Sequence, residues 1–202
     1  MYTLDKKLAD IASLDRIPRL LLHCCCAPCA SYVLEYLSPF FEITILFYNP
    51  NIRPFDEFYK REAELKKLIS LAVYPNKIDF LFCDYDTESF EKAAMPFWDE
   101  PEGGKRCHEC FMLRLEQSAR LAIAGGYDYF TTTLTVSPHK NAALVNEIGD
   151  KMAEKYGVEY LQADFKKHDG YKRSIELSKK YNLYRQNYCG CKRLELVNLG
   201  KT

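Results

Sequence analysis

The chain has 202 residues, with 28 Lys and Arg against 28 Asp and Glu, and nine cysteines. That length, at 48% hydrophobic residues, builds a core without disulfide staples, so a small disulfide-stapled scaffold is excluded. The 9 Gly, 9 Pro and 14% aromatic residues exclude collagen-like, disordered and coiled-coil classes.

The opening Met1–Asp10 has no apolar stretch behind a basic start, which predicts no secretory signal. The first expected strand is Arg19–Cys25, and its Leu20-Leu21-Leu22 run is far too short to span a bilayer. The chain therefore reads as cytoplasmic, with no membrane partner. Strands follow at Glu42–Tyr48, Lys77–Cys83, Tyr129–Thr133 and Val158–Asp164, each short and rich in Leu, Ile, Val, Phe or Tyr. Helices are expected between and after them. Pro54–Ala72 opens on Pro and early acids, and Glu109–Ala124 stops at Gly125-Gly126. Asn141–Tyr156 is followed by Gly157, and Gly170–Tyr181 follows the last strand. The alternation predicts a three-layer α/β domain spanning 1–202, with a mainly parallel sheet of about five strands. Ligands of such sheets bind beyond the C-terminal strand ends. Cys25, Cys26 and Cys29, then Asn49-Pro50-Asn51, Ser137–Lys140 and Asp164–Lys167 all fall there.

In a reduced compartment, many cysteines mean metal or redox chemistry, and an odd count argues against a disulfide framework. Cys83 and Cys24 lie in apolar strand sequence and read as packing. Seven remain: Cys25, Cys26, Cys29, Cys107, Cys110, Cys189 and Cys191. An iron–sulfur cluster takes four thiolates, which leaves three for an adjacent metal with an open position for substrate. Structural zinc is a competing reading, in a zinc-stabilised RNA-binding module. Cys26-Ala-Pro-Cys29, with a strand before and a helix after, also fits a thiol-disulfide oxidoreductase, although that leaves the other thiols idle. The radical-SAM spacing, the phosphate-binding G-x-x-x-x-G-K-[ST] loop and the G-x-G-x-x-G turn are all absent.

The neutral total hides an asymmetry. Residues 165–202 hold ten Lys and Arg against three acids, so the rest of the chain is acidic by the same amount. A basic segment of this kind suits a polyanionic partner or a solvated helix face.

Six ordered motifs resemble one family. They are His23-Cys-Cys-Cys-Ala-Pro-Cys29, Tyr48-Asn-Pro-Asn-Ile-Arg-Pro54, Gly104-Lys-Arg-Cys-His-Glu-Cys110, Thr131–Asn141, Asp164-Phe-Lys-Lys167 and Leu183–Cys191. Along nearly its whole length the sequence resembles the epoxyqueuosine reductases of the QueH type. The resemblance implies a Rossmann-like, nucleotide-hydrolase-like fold. It implies two-electron deoxygenation of epoxyqueuosine in the tRNA anticodon loop to queuosine, without cobalamin. It further implies a [4Fe-4S] cluster beside a mononuclear iron, fed by an external electron donor. Where this chain has Cys29 some members carry Asp, so the lone metal's third ligand is expected to be a thiolate. Cys107 and Cys110, with one thiolate from Cys25/Cys26 and one from Cys189/Cys191, are expected at the cluster. The other thiolates of those pairs, with Cys29, are expected at the lone iron, where Cys25, Cys26 and Cys29 meet substrate. Arg53, Lys140, Lys166, Lys167, Arg185 and Gln186 are the expected tRNA contacts. Tyr48, Phe55, Tyr171, Tyr184 and Tyr188 are candidate base-stacking rings. His23, His108, Tyr188 and Asp164 lie near the motifs without any one standing out as the proton donor, and His23 reads as a satisfied core histidine.

Overall fold

A computed structural model describes residues 3–191. In chain order its elements are α1 (Thr3–Ala12), β1 (Arg19–His23), α2 (Ala27–Leu37), β2 (Glu42–Phe47), α3 (Phe55–Leu71), β3 (Ile78–Phe82) and α4 (Thr87–Ala94). There follow α5 (Lys105–Ala124), β4 (Tyr129–Thr132), α6 (Ala142–Tyr156), β5 (Glu159–Tyr160) and α7 (Gly170–Lys180). The strands form one parallel sheet of five, in the order β3-β2-β1-β4-β5. The three-layer, Rossmann-like α/β expectation is met.

Strand alternation explains why β1 is apolar at successive positions. Leu20 and Leu22 join Ile43, Ile45 and Phe47 of β2 on the face covered by α1, α2, α3 and α7. Leu21, Leu46 and Phe130 point to the opposite face, under α5 and α6. Side chains cap the helices that border the loops. Asp86 accepts from Ser89 N at 3.1 Å at the start of α4. Asn141 accepts from Ala143 N and Leu144 N at the start of α6, which pins the loop that carries Lys140.

The boundaries differ from the expected ones for local reasons. β1 stops at His23, and Cys24 makes one further bond, from its N–H to Leu46 O at 2.9 Å. Cys25 is thus already in the loop. β4 stops at Thr132 and winds into a 3-10 turn over Thr133–Val136. β5 consequently loses its neighbour after Leu161 N bonds Phe130 O at 2.9 Å, and the expected strand to Asp164 is reduced to Glu159–Tyr160. α5 begins at Lys105 rather than Glu109, because Gly104 serves as its cap residue. This puts Cys107 and Cys110 on the first turns of a helix. Two helices absent from the sequence reading are α1, which buries Leu4, Leu8 and Ile11 at helical spacing, and the short α4.

Gly170 opens α7 where no side chain fits. An added Cβ would lie 2.0 Å from Phe165 O and 2.3 Å from the Tyr32 ring. Gly170→Ala is expected to cost about 1–3 kcal/mol, as overpacking does. A lowered urea midpoint at unchanged slope checks it.

Candidate metal centre

Beyond β1 the chain turns directly into α2, with Cys26 as the cap residue and Pro28 in the first turn. The turn brings the sulfurs of Cys25, Cys26 and Cys29 within 4.8 Å of one another, close enough to hold one metal ion. Cys25 Sγ is 3.8 Å from Cys26 Sγ. Hydrogen bonding with Cys26 and Cys29 holds Cys25 well below the usual thiol range, with Arg114 and Lys140 helping. Cys26 is pushed up to about 11 in return, and Cys29 is raised as well. The group favours one thiolate even before a cation binds. The three line a cavity of about 600 Å³.

Among the described residues no other three thiols come within 4.8 Å of one another. Cys107 and Cys110 from α5, with Cys189 and Cys191 from the C-terminal loop, line a second and smaller cavity of about 30 Å³. Cys189, His139 and Lys140 line both cavities, so the two adjoin. Gly103 N donates to Cys107 Sγ at 3.2 Å, and Arg114 Nη1 donates to Cys110 Sγ at 3.9 Å. The Cys191 thiol, then Lys140 and Arg114, holds Cys189 down at about 6, while Cys191 is raised. Cys110 is pushed up to about 11 by burial.

The turn between Cys189 and Cys191 depends on Gly190 at φ +100°. Gly190 O accepts from Arg53 N at 2.9 Å. Arg61 on α3 donates to Cys189 O at 3.1 Å and Tyr188 O at 3.4 Å. Arg61 is itself buried and paired with Glu57 at 2.7 Å.

Arg114 sits four residues along α5 from Cys110 and is 1% exposed. Its Nη2 donates to Asn49 Oδ1 at 2.7 Å and its Nε to His23 Nε2 at 3.2 Å. His23 Nε2 also lies 3.0 Å from Tyr48 O, and Nδ1 lies 2.8 Å from Thr132 Oγ1, so both ring nitrogens have partners. Burial, then Arg114, pushes His23 down to about 3. His23 is a satisfied core residue, as expected. Asn49 Nδ2 bonds Cys24 O at 2.8 Å, which ties this network to the Cys25 loop.

The remaining expected residues fall as follows. Lys140, Arg185 and Gln186 line the larger cavity. Burial disfavours the Lys140 charge, but Cys189, Cys25 and Cys29 overcome this and raise its pKa. Arg185 donates to Ser174 O and Ser178 Oγ. Arg53 is paired with Glu91. Lys166 pairs with Asp164 at 3.1 Å and donates to the carbonyls of Thr135 and Lys140. Lys167 lies at the exposed start of the turn into α7. Lys192, Arg193 and Lys201 of the basic segment lie outside the described residues. Tyr171 and Tyr188 line the larger cavity, Phe55 is exposed, and Tyr48 is buried. Tyr184 bonds Glu57, and Lys60 lies 3.6 Å above its ring. His108 lies beside Glu109 at 3.1 Å. Cys24 is buried in the core, and Cys83 is half-buried at the end of β3. Sequence reasoning missed Arg114, Arg61 and the role of Asn49. The one available signal was the four-residue spacing of Cys110 and Arg114.

The family model described as "Epoxyqueuosine reductase QueH" matches residues 20–193. The chain belongs to the QueH family of epoxyqueuosine reductases. It is 44% identical to the epoxyqueuosine reductase QueH of Streptococcus pyogenes serotype M1, over 86% of this chain and 69% of the relative. The Staphylococcus epidermidis QueH is also 44% identical, over 86% of this chain and 75% of its own length. The Thermotoga maritima QueH is 36% identical, over 85% and 88% respectively. As a QueH family member the chain is an oxidoreductase. Among the described residues no helix is long and apolar enough to cross a membrane.

Arg61→Met removes one partner of a buried ion pair, and with it the anchor of the Cys189 loop. A loss of about 3–5 kcal/mol is expected from the stranded Glu57 charge. Urea denaturation of the metal-free chain checks it, and faster alkylation of Cys189 reports the released loop.

Proposed function

We propose that this chain reduces epoxyqueuosine in the anticodon loop of tRNA to queuosine, and that its seven clustered thiols hold the metals for that reaction. Cys107, Cys110, Cys189 and Cys191 hold a [4Fe-4S] cluster. Cys25, Cys26 and Cys29 would hold a mononuclear iron beside the larger cavity. The observation that carries the reading is the trio Cys25, Cys26 and Cys29 at metal-binding distance on one cavity, next to a second cavity lined by Cys107, Cys110, Cys189 and Cys191, with Cys189 on both. The donor set suits these groups in a second respect. Arg114 is fully buried with no carboxylate paired to it among the described residues, and sulfur stands in that place, with Cys110 Sγ at 3.9 Å.

The overall change takes two electrons and two protons, breaks both C–O bonds of the epoxide and releases its oxygen as water. When bound, the metals supply electron transfer and a Lewis-acid grip on the epoxide oxygen. The protein does the rest. The 600 Å³ cavity admits an unstacked nucleoside beside Cys25, Cys26 and Cys29. Lys140 keeps its proton on Nζ and presents a cation to oxygen as negative charge develops there. Tyr171 and Tyr188 wall the cavity, and Gln186 offers an amide for a base edge. An external one-electron donor completes the cycle. Arg53, Lys166 and Arg185 serve by holding the loops through the internal bonds described above, and the cations around the cavity draw the anticodon phosphates.

Anaerobic incubation with epoxyqueuosine-tRNA, read by mass of the nucleoside, is expected to show loss of one oxygen atom. Cys110→Ser should lower labile sulfide, whereas Cys29→Ser should keep sulfide and stop turnover. Zinc without labile sulfide in the anaerobically prepared protein contradicts the reading. Binding of tRNA is expected to weaken about tenfold or more between 50 and 200 mM salt, as release of counterions from a few phosphates requires. A filter-binding series at fixed pH measures it.

A further inference from the structure

Arg114 has the largest fully buried side chain among the described residues. Its hydrogen bonds end on Asn49 Oδ1, His23 Nε2 and Cys110 Sγ. Asn49 and His23 are neutral, so they orient the guanidinium without cancelling its charge. Its Nη1 lies 3.9 Å from Cys110 Sγ, and it shares the wall of the larger cavity with Cys25 and Cys189, so it borders both thiol groups. A fixed cation in a low-dielectric wall favours whichever neighbouring redox state is more negative.

We propose that Arg114 sets the reduction potential of the cluster held by Cys107, Cys110, Cys189 and Cys191. The inference rests on the reading that those four thiols bind a four-iron cluster. One electron from an external one-electron donor adds one negative charge to the cluster, with no covalent bond made or broken. Arg114 lies beside Cys110 and stabilises that added charge. His23 and Asn49 are positioning residues for the guanidinium. Asn49 is itself anchored by its Nδ2 bond to Cys24 O. Asn49→Asp keeps nearly the same shape and sets a carboxylate against Arg114, which quenches its field.

The test is a redox titration of the cluster-loaded full chain, followed by electron paramagnetic resonance, with iron and sulfide measured on each sample. Arg114→Gln and Asn49→Asp are expected to disfavour reduction at least tenfold, about 59 mV lower for a one-electron couple. Arg114→Lys keeps the charge and should move less than half as far. A wild-type potential in fully loaded Arg114→Gln overturns the proposal. If Arg114→Gln does not load, Asn49→Asp decides alone by the same criterion. If neither loads, loading of Arg114→Lys supports the need for a charge, and its failure to load reduces Arg114 to a packing role and overturns the proposal. Absence of labile sulfide in the wild type instead overturns the reading of the four thiols.

Discussion

Burying a cation costs several kcal/mol unless anions compensate it, and Arg114 lies 1% exposed with no carboxylate partner among the described residues. Most buried arginines resolve this with Asp or Glu, as Arg61 does with Glu57. Arg114 faces Cys110, Cys25 and Cys189. Cys25 and Cys189 are held low beside it, so these two sulfurs favour the anionic form for the fold as well as for chemistry. A metal that keeps them deprotonated satisfies the cation and the sulfurs together. Lys140 repeats the arrangement at the shared wall of the two cavities.

The parallel sheet makes this concentration of charge affordable to the fold. All five strands run the same way, so their C-terminal loops emerge at one edge. Cys25 follows β1, Asn49 follows β2, and Lys140 follows β4. α5 brings Cys107 and Cys110 to the same edge from the opposite layer, and Arg53 and Arg61 tether the Cys189 loop there. The positive N-terminal end of α2 lies under Cys26 and Cys29 and favours anionic sulfur. Each loop is held by hydrogen bonds to its own neighbours, so the thiols are placed before any metal arrives.

Much of this was legible in the sequence. Apolar runs at strand spacing located all five strands, because a strand buried on both faces has few polar interruptions. Their ends were not legible, since β5 stops where β4 turns into a 3-10 helix, a tertiary event. Grouped cysteines marked a cluster that could hold a metal, but how they line the two cavities depends on where α5 starts. An expected start at Glu109 left Cys107 in a loop, whereas the actual start at Lys105 puts Cys107 and Cys110 on helix turns opposite the Cys189 loop. The basic motif residues were visible as charges, yet Lys166, Arg53 and Arg185 bond internally in ways composition does not encode. Arg114 was hidden because an arginine in a helix reads as solvated until the helix is packed.

The division of the thiols into a set of four and a set of three is most directly tested by Mössbauer spectroscopy of the wild-type chain loaded anaerobically with ⁵⁷Fe. Two iron environments in a ratio of about four to one, the larger with the signature of a four-iron cluster, are the predicted result. A single iron environment, whether all cluster or all mononuclear, would contradict the account.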